Sequence, residues 1–299
     1  MKTKSDKITA NDVKKDEAIH HLINHKIARL VVTDKQYDKN GNPIFSKLEK
    51  IIEKFLSKEY GHNHFEIILT PGGFLNFDFP DTLLRKLDIE NAENNNVKLL
   101  QKEANSVIIN FFKKLGPTNM KKLKEIADFF TIGIDGYSNN KSIELVAIYN
   151  LKKEKVIQWT GKFYPTERQK RYLIRINDLS SHFIEVNNQK ILILGCHDLN
   201  VFSHRGQANA KPNGWRRQLA DEFKKLCIKN KPEIVLQHPH NTYSPRIWLL
   251  GWSGLVNLCP SIKHYASGIN YSILNEGDVL RPIEKVLKQT RRGDVIDIY

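Results

Sequence analysis

A cysteine that directly follows a β-strand pattern is the most chemically informative feature of this 299-residue sequence. The apolar run at 190–195 predicts a strand that ends abruptly, and Cys196 comes next. A cysteine at a rigid sheet edge suits nucleophilic catalysis, because a thioester intermediate divides amide or nitrile cleavage into two easier steps. The thiol then needs a cationic or basic neighbour to become a thiolate. The alternative is a buried cysteine that serves as a small apolar side chain.

Histidines cluster in the same part of the sequence and offer a general base. They are His197, His204, His238, His240 and His264. One of them could form a Cys/His pair with the thiol. His238 and His240, with His197 and Asp198, could instead chelate a metal. Because paired loop histidines are more often solvated or hydrogen-bonded, we expect no metal site and no cofactor.

The residues around this cysteine resemble the nucleophile motif of the carbon–nitrogen hydrolase (nitrilase) superfamily. That motif is a strand, a cysteine, an aromatic residue and an aspartate, followed by a phenylalanine and an arginine. This chain has Cys196, His197 and Asp198, and then Phe202 and Arg205. The resemblance runs in order from about residue 27 to residue 299. It implies the α/β class, as a four-layer αββα sandwich with two mixed β-sheets.

A lysine motif upstream resembles the next catalytic element of the superfamily. Residues 161–167 contain Lys162 and, close to where the family's supporting glutamate often lies, Glu167. The resemblance implies that Lys162 stabilises the oxyanion of a tetrahedral intermediate, and a lysine beside a cysteine also favours the thiolate. We therefore expect Cys196, Lys162, Glu167 and His197 to be catalytic.

The superfamily's catalytic glutamate has no counterpart at the matching position. Its motif is a strand, proline, glutamate and then an aromatic residue, and here Pro71 is followed by Gly72, with Phe74 nearby. Glycine cannot carry a proton, so a base must come from a histidine or from an acid such as Asp78. We expect the substrate to be bound by residues of this loop, the nucleophile turn and the histidine pair. They are Gly72, Phe74, Asp198, His238 and His240.

Hydrophobic periodicity predicts helices that alternate with strands. Strands are expected at 27–33, 65–70, 129–134, 143–149, 156–159, 190–195, 233–237, 265–271 and 295–299. Helices are expected from Ser46, across 82–127, and along the stripe that begins at Trp215. Without a Pro/Gly/Ser-rich linker, we expect a polar N-terminal extension at 1–26 and one nitrilase-like domain at 27–299.

Charge and cysteine content indicate in which cellular compartment the protein works and which classes of partner it meets. The three cysteines are widely spaced, and the sequence has neither a signal-peptide pattern nor a span of about 20 apolar residues, so a cytoplasmic protein is expected. The net charge of +14 implies weak, non-specific attraction to polyanions. The resemblance implies a homo-oligomer such as a dimer, and a small-molecule substrate or ligand.

Three functions remain open from the sequence. The first is a thiol hydrolase or acyltransferase that acts on a non-peptide C–N bond, an amide or a nitrile, through a Cys196 thioester and a non-standard base. The second is an inactive nitrilase-like domain that binds a ligand or partner, and the absent glutamate favours it. The third is a basic scaffold associated with nucleic acid, with Arg216 and Arg217 among its candidate contacts.

Overall fold

A computed structural model describes residues 23–33, 50, 52–57, 63–87, 97–204, 214–242, 246–271 and 279–298. The sequence predictions that concern Ser46, Arg205 and the segment before Ile23 lie outside these residues. Ile23 already belongs to the first strand, so the strand predicted at 27–33 begins four residues earlier.

Within the described residues, nine strands form the first sheet. They are β1 (Ile23–Val32), β2 (Asn63–Leu69), β3 (Leu75–Asp78), β4 (Ala127–Ser138), β5 (Lys141–Asn150), β6 (Lys155–Gly161), β7 (Leu173–Ile174), β12 (Ile269–Asn270) and β14 (Val295–Ile298). The central order is β12–β1–β2–β4–β5–β6. The β1, β2 and β4 strands run parallel to one another, whereas β5 is antiparallel to both of its neighbours, β4 and β6. This sheet is therefore mixed.

The second sheet is smaller and also mixed. Its strands are β8 (Phe183–Val186), β9 (Gln189–Leu194), β10 (Ile234–Gln237), β11 (His264–Ser267) and β13 (Arg291–Arg292). They lie in the order β13–β11–β10–β9–β8. The three central strands are parallel, and the two outer strands are antiparallel to their neighbours.

Helices cover the outer faces of both sheets. They are α1 (52–55), α2 (Asp81–Leu84), α3 (Lys98–Ile126), α4 (Trp215–Asn230), α5 (Arg246–Leu258) and α6 (Ile283–Gln289). In α3 the apolar residues Ile108, Phe111, Phe112 and Leu115 are buried. The helix is kinked at Gly116, which has a φ of 82° and is followed by Pro117. No helix in the described part of the chain is long and apolar enough to span a bilayer.

Three apolar clusters define the four layers. One lies between the sheets and joins side chains such as Ile67 and Val146 to Ile193 and Leu236. A second packs α1 and α3 on the outer face of the first sheet, and a third packs α4 and α5 on the outer face of the second. This arrangement confirms the predicted αββα sandwich. The parallel strands of both sheets therefore end at one edge, where ligand sites commonly form in α/β proteins.

Candidate active site

Cys196 lies at the edge where β9 ends, on a turn that depends on Gly195. A Cβ on Gly195 would stand 2.9 Å from the Cα of Lys162, so the lysine segment and the cysteine turn can approach only because this residue is glycine. The Cys196 carbonyl accepts a hydrogen bond of 3.1 Å from Nε2 of Gln237. The backbone N–H of His240 donates to the Cys196 sulfur at 3.4 Å. The thiol is therefore held in one place and is nearly buried.

Asp198 holds the cysteine turn and the lysine segment together. Its carboxylate, fully buried, accepts backbone hydrogen bonds from Gly195 at 2.7 Å, Tyr164 at 2.9 Å and Phe163 at 3.2 Å. Burial raises the pKa of Asp198 to about 7, although these three N–H groups and Lys162 act in the opposite direction. The backbone occupies both Asp198 oxygens, so the structure places Asp198 as a positioning residue rather than as the substrate contact that the sequence suggested.

Lys162 and Glu144 form a buried ion pair beside the thiol. Lys162 follows the end of β6, and its Nζ donates to Oε1 of Glu144 at 2.7 Å. Its side chain is fully buried, whereas Glu144, on β5, is only slightly exposed. Burial lowers the pKa of Lys162, but Glu144 and Cys196 together outweigh it and raise the pKa overall. Lys162 is thus a cation at the cysteine, with further N–H donors beyond the one that Glu144 accepts.

The loop that follows β10 carries His240 across from the second sheet to the first. His238 donates its backbone N–H to the Leu194 carbonyl at 2.9 Å, and the Pro239 carbonyl accepts from Gly72 at 3.0 Å. The His240 carbonyl accepts from Nδ2 of Asn270 at 2.9 Å. Contacts to both sheets therefore fix where the His240 side chain lies.

The His240 ring occupies the space beside Gly72. A Cβ on Gly72 would lie 3.2 Å from two atoms of this ring and 2.6 Å from the His238 carbonyl oxygen. His240 Nε2 is hydrogen-bonded to Oδ2 of Asp135 at 2.6 Å, and its Nδ1 lies 3.6 Å from Oε2 of Glu144. An ionisable ring therefore fills the space that a side chain at position 72 would enter.

Charges around the thiol favour an ionised pair. Burial alone would raise the pKa of Cys196, but His197 and His240 outweigh it and hold that pKa well below its usual range. Burial lowers the pKa of His240, but Asp135, Glu144 and Cys196 outweigh it and raise that pKa well above the ordinary value. The arrangement is that of a thiolate beside an imidazolium.

The structure brings four of the predicted residues together at the thiol. They are Cys196, Lys162, His197 and His240, with Gly72 below the His240 ring. His197 is half-buried, and its ring lies edge-on to Trp248, with centroids 6.1 Å apart.

Three other predicted residues lie elsewhere. Glu167, expected to be the supporting glutamate, is exposed, and the carboxylate that pairs with Lys162 is that of Glu144. Phe74, expected to contact substrate, is completely buried against Phe111 and Phe130 in the outer core. His238 is also buried, and burial lowers its pKa to about 3. The loop metal set of His238, His240, His197 and Asp198 is not formed, because Asp198 binds the backbone.

Asp135 and Glu144 are the site residues that sequence reasoning missed. They come from β4 and β5, where each lies in an apolar stretch, 129–137 or 143–149, that is otherwise uncharged. A carboxylate is rarely buried without a partner, so each was a signal of a polar site. The sequence did not indicate which cations they meet.

A cavity of about 700 Å³ adjoins the site through Tyr137. Its lining includes Asp78, Tyr137 and Tyr172 at the β4–β5 hairpin. The Tyr137 hydroxyl donates to Oδ2 of Asp135 at 3.0 Å, the oxygen that also binds His240. Asp78 faces this cavity rather than the thiol, so it is not placed to serve as the missing base.

Replacing Gly72 by glutamate is expected to destabilise the protein without restoring a base. The new Cβ would overlap the His238 carbonyl, and the side chain would displace the His240 ring. Overpacking of this kind costs about 1–3 kcal/mol. The measurement is the free energy of unfolding in urea, with Gly72→Ala as the matched variant that adds only the Cβ. A Gly72→Glu protein as stable as wild type, with higher turnover, would contradict this expectation.

Comparison with known proteins gives structural similarities only. No protein-family model matches the chain, and no curated protein sequence matches it. A mutant of the Nesterenkonia AN1 amidase, from the nitrilase superfamily, is 11% identical over 81% of this chain and 75% of its own, with a TM-score of 0.43. A CN-hydrolase superfamily protein from Xanthomonas campestris is 14% identical over 81% and 74%, with a TM-score of 0.40.

The glutamine-dependent NAD⁺ synthetase of Acinetobacter baumannii is also similar, at 16% identity and a TM-score of 0.42. The match covers 81% of this chain but only 38% of the synthetase. The amidase and the Xanthomonas protein come from the superfamily that the sequence motifs resemble.

Proposed function

We propose that this chain is a divergent carbon–nitrogen hydrolase or acyltransferase that uses Cys196 as its nucleophile and His240 as its proton carrier. One observation carries the proposal: the thiol lies between two ion pairs, His240–Asp135 and Lys162–Glu144. A cysteine that only fills core space has no need of either pair. The substrate class is a small amide or nitrile.

The first half-reaction follows from the charges at the site. The Cys196 thiolate attacks the substrate carbon, and the C–S bond forms as the carbonyl electrons move to oxygen. Lys162 Nζ donates to the resulting oxyanion. For an amide, His240 gives its proton to the leaving nitrogen, the C–N bond breaks, and a thioester remains on Cys196.

The second half-reaction returns the site to its starting state. Neutral His240 accepts a proton from water, or from an acceptor nucleophile, as the oxygen attacks the thioester. The thiolate then leaves as the acid or the transferred acyl product forms. Asp135 keeps the His240 ring oriented and stabilises its charged form, as a carboxylate does for a catalytic histidine.

The test is to trap the acyl-enzyme. Wild-type protein is mixed with a panel of short aliphatic and aromatic amides and nitriles, quenched in acid and digested, and peptides are analysed by mass spectrometry. We expect an acyl mass on the Cys196 peptide that hydroxylamine removes. Cys196→Ser should give no such thioester, and Cys227→Ser is the matched control that should retain it. Absence of both adduct and ammonia release across the panel would count against the proposal.

Alkylation of Cys196 is expected to stay fast as the pH falls. For an ordinary thiol with a pKa near 8.5, the thiolate fraction falls about tenfold for each pH unit below that value. Burial raises the pKa of Cys196, but His197 and His240 outweigh burial and lower that pKa overall. Its thiolate is therefore present above this lowered pKa and lost only as the pH falls through it.

Iodoacetamide labelling with peptide mapping measures this rate. Near pH 6 we expect Cys196 to react ~10²-fold faster than Cys227, whose pKa is raised by its hydrogen bond with Cys259 and by burial. Lys162→Met and His240→Gln should each slow the labelling. A Cys196 rate that falls tenfold per unit between pH 8.5 and 6 would show an ordinary thiol.

The alternative is an inactive domain that binds a ligand, and the glycine at position 72 is the observation that favours it. Ligand binding without any acyl adduct would support that function. A nucleic-acid scaffold has less support, because Arg216 is buried over the Tyr164 ring and Arg217 is paired with Asp221. Weak polyanion binding and a homo-oligomer belong to the proposal as secondary expectations.

A further inference from the structure

We infer that Glu144, Cys196 and His240 form a binding site for a borderline-soft divalent cation, best matched by Zn²⁺, which caps the thiol. One ligand atom from each of the three side chains lies within 4.8 Å of the other two. Thiolate, imidazole and carboxylate are the ligands that proteins use for zinc. The inference does not rest on the proposed function, because a metal can bind these atoms whether or not the thiol is catalytic.

The distances require only a small contraction around a metal ion. Tetrahedral zinc binds nitrogen and oxygen at about 2.0–2.2 Å and sulfur at about 2.3 Å, which places its ligand atoms roughly 3.3–3.8 Å apart. His240 Nδ1 and Glu144 Oε2 are already 3.6 Å apart. Side-chain rotations at Cys196 and His240 would bring the sulfur to the same separation.

Two ligand atoms, Oε2 of Glu144 and Nδ1 of His240, face each other at the site. Glu144 Oε2 is buried without a hydrogen-bond partner among the described residues, while Oε1 is taken by Lys162. His240 Nε2 is occupied by Asp135, so Nδ1 is the nitrogen that faces Glu144. A ligating histidine that donates its other N–H to a carboxylate is the usual outer-shell arrangement at zinc sites. Asp135 is the carboxylate that accepts this hydrogen bond from His240.

The surrounding charge fits a divalent ion. As zinc binds Nδ1 of His240, the ring loses its second proton to solvent and becomes neutral. The Cys196 thiolate, Glu144 and Asp135 then carry three negative charges and Lys162 carries one positive charge, so a dication makes the group neutral. Three protein ligands leave a fourth position for water or another small ligand. The His240 side chain is 28% exposed, which gives an ion a route to the site. A hard cation such as Mg²⁺ should bind poorly, because the thiolate and imidazole are soft.

Cobalt substitution tests the site without any enzymatic assay. Metal-free, full-length protein is titrated with Co²⁺, and we expect the intense visible bands of tetrahedral cobalt and a near-ultraviolet thiolate-to-cobalt band. Added Zn²⁺ should remove both bands at one equivalent per chain, with a Kd of about 1 µM or tighter. Zinc should also protect Cys196 from iodoacetamide, and a chelator should restore the labelling.

Variants identify the ligands. Cys196→Ser, Glu144→Gln and His240→Gln should each weaken zinc binding by more than ~100-fold, and Asp135→Asn by ~10–100-fold. His197→Gln, which removes the other histidine beside the thiol but no ligand, is the matched control and should weaken zinc binding by less than ~10-fold. Cobalt bands that are absent in the wild type, or zinc binding unchanged in Cys196→Ser, would overturn the inference. Zinc binding is measured without substrate. A protein that binds zinc but forms no acyl adduct would therefore contradict the proposed function and leave the zinc site intact.

Discussion

Replacing His240 by glutamine is expected to lower turnover of an amide substrate by ~10²–10⁴-fold, the usual worth of a general acid–base. The glutamine amide can still donate to Asp135, so the loop should keep its contacts. It cannot accept or deliver a proton at the thiol, and it leaves Cys196 without the cation that helps to lower its pKa. Steady-state ammonia release and the rate of thioester formation are the measurements.

His197→Gln is the matched control for that experiment, since both histidines lower the pKa of the same thiol. His197 packs against Trp248 and has no carboxylate partner among the described residues. We expect its replacement to cost less than ~10-fold, because only His240 is oriented by an acid. A larger loss in His197→Gln than in His240→Gln would assign the base to His197.

The pH profile separates a proton carrier from a structural histidine. Asp135 and Glu144 raise the pKa of His240, so the imidazolium persists through neutral pH and is lost as the pH rises through that raised pKa. Asp135→Asn removes one of these carboxylates and should shift the alkaline limb of kcat to lower pH. An unchanged limb, with only a uniform loss of stability, would contradict a role for the Asp135–His240 pair in the reaction.

Replacing Asp198 by alanine is expected to lower the free energy of unfolding by about 3–5 kcal/mol. It would leave the backbone N–H groups of Gly195, Phe163 and Tyr164 without their buried acceptor, and each orphaned donor costs about 1–3 kcal/mol. Losses above about 4 kcal/mol are exceptional for one substitution. Urea or guanidinium denaturation followed by circular dichroism gives the value.

Asp178→Ala is the matched control for the stability measurement. Asp178 also accepts a backbone hydrogen bond, from Ser180 at 2.9 Å, but it lies exposed at the start of a short 3-10 turn. Loss of such a cap should cost only ~1 kcal/mol. An Asp198→Ala protein within 1 kcal/mol of wild type would mean that water replaces the carboxylate and that Asp198 does not hold the nucleophile turn.

The sequence by itself predicted most of the long elements and named four of the residues that meet at the thiol. Apolar runs and stripes predicted most long strands and helices, because burial patterns are local and have fixed periods. The short strands β3, β7, β8 and β13 were missed, since two to four residues carry no readable period, and helices α5 and α6 were not predicted. Cys196 was recognisable because a strand pattern stops just before it, and Lys162 because the surrounding motif resembles that of a known superfamily.

Only the tertiary structure decided which charged residues meet beside the thiol. His240 and Asp135 are 105 positions apart and meet because β4 lies in the first sheet, β10 lies in the second, and both end at one edge. Glu144 reaches Lys162 through the antiparallel pairing of β5 with β6, whereas Glu167, nearer in sequence, lies exposed. Partner choice at such an edge depends on sheet order and register, which are set by packing over the whole chain rather than by any local pattern.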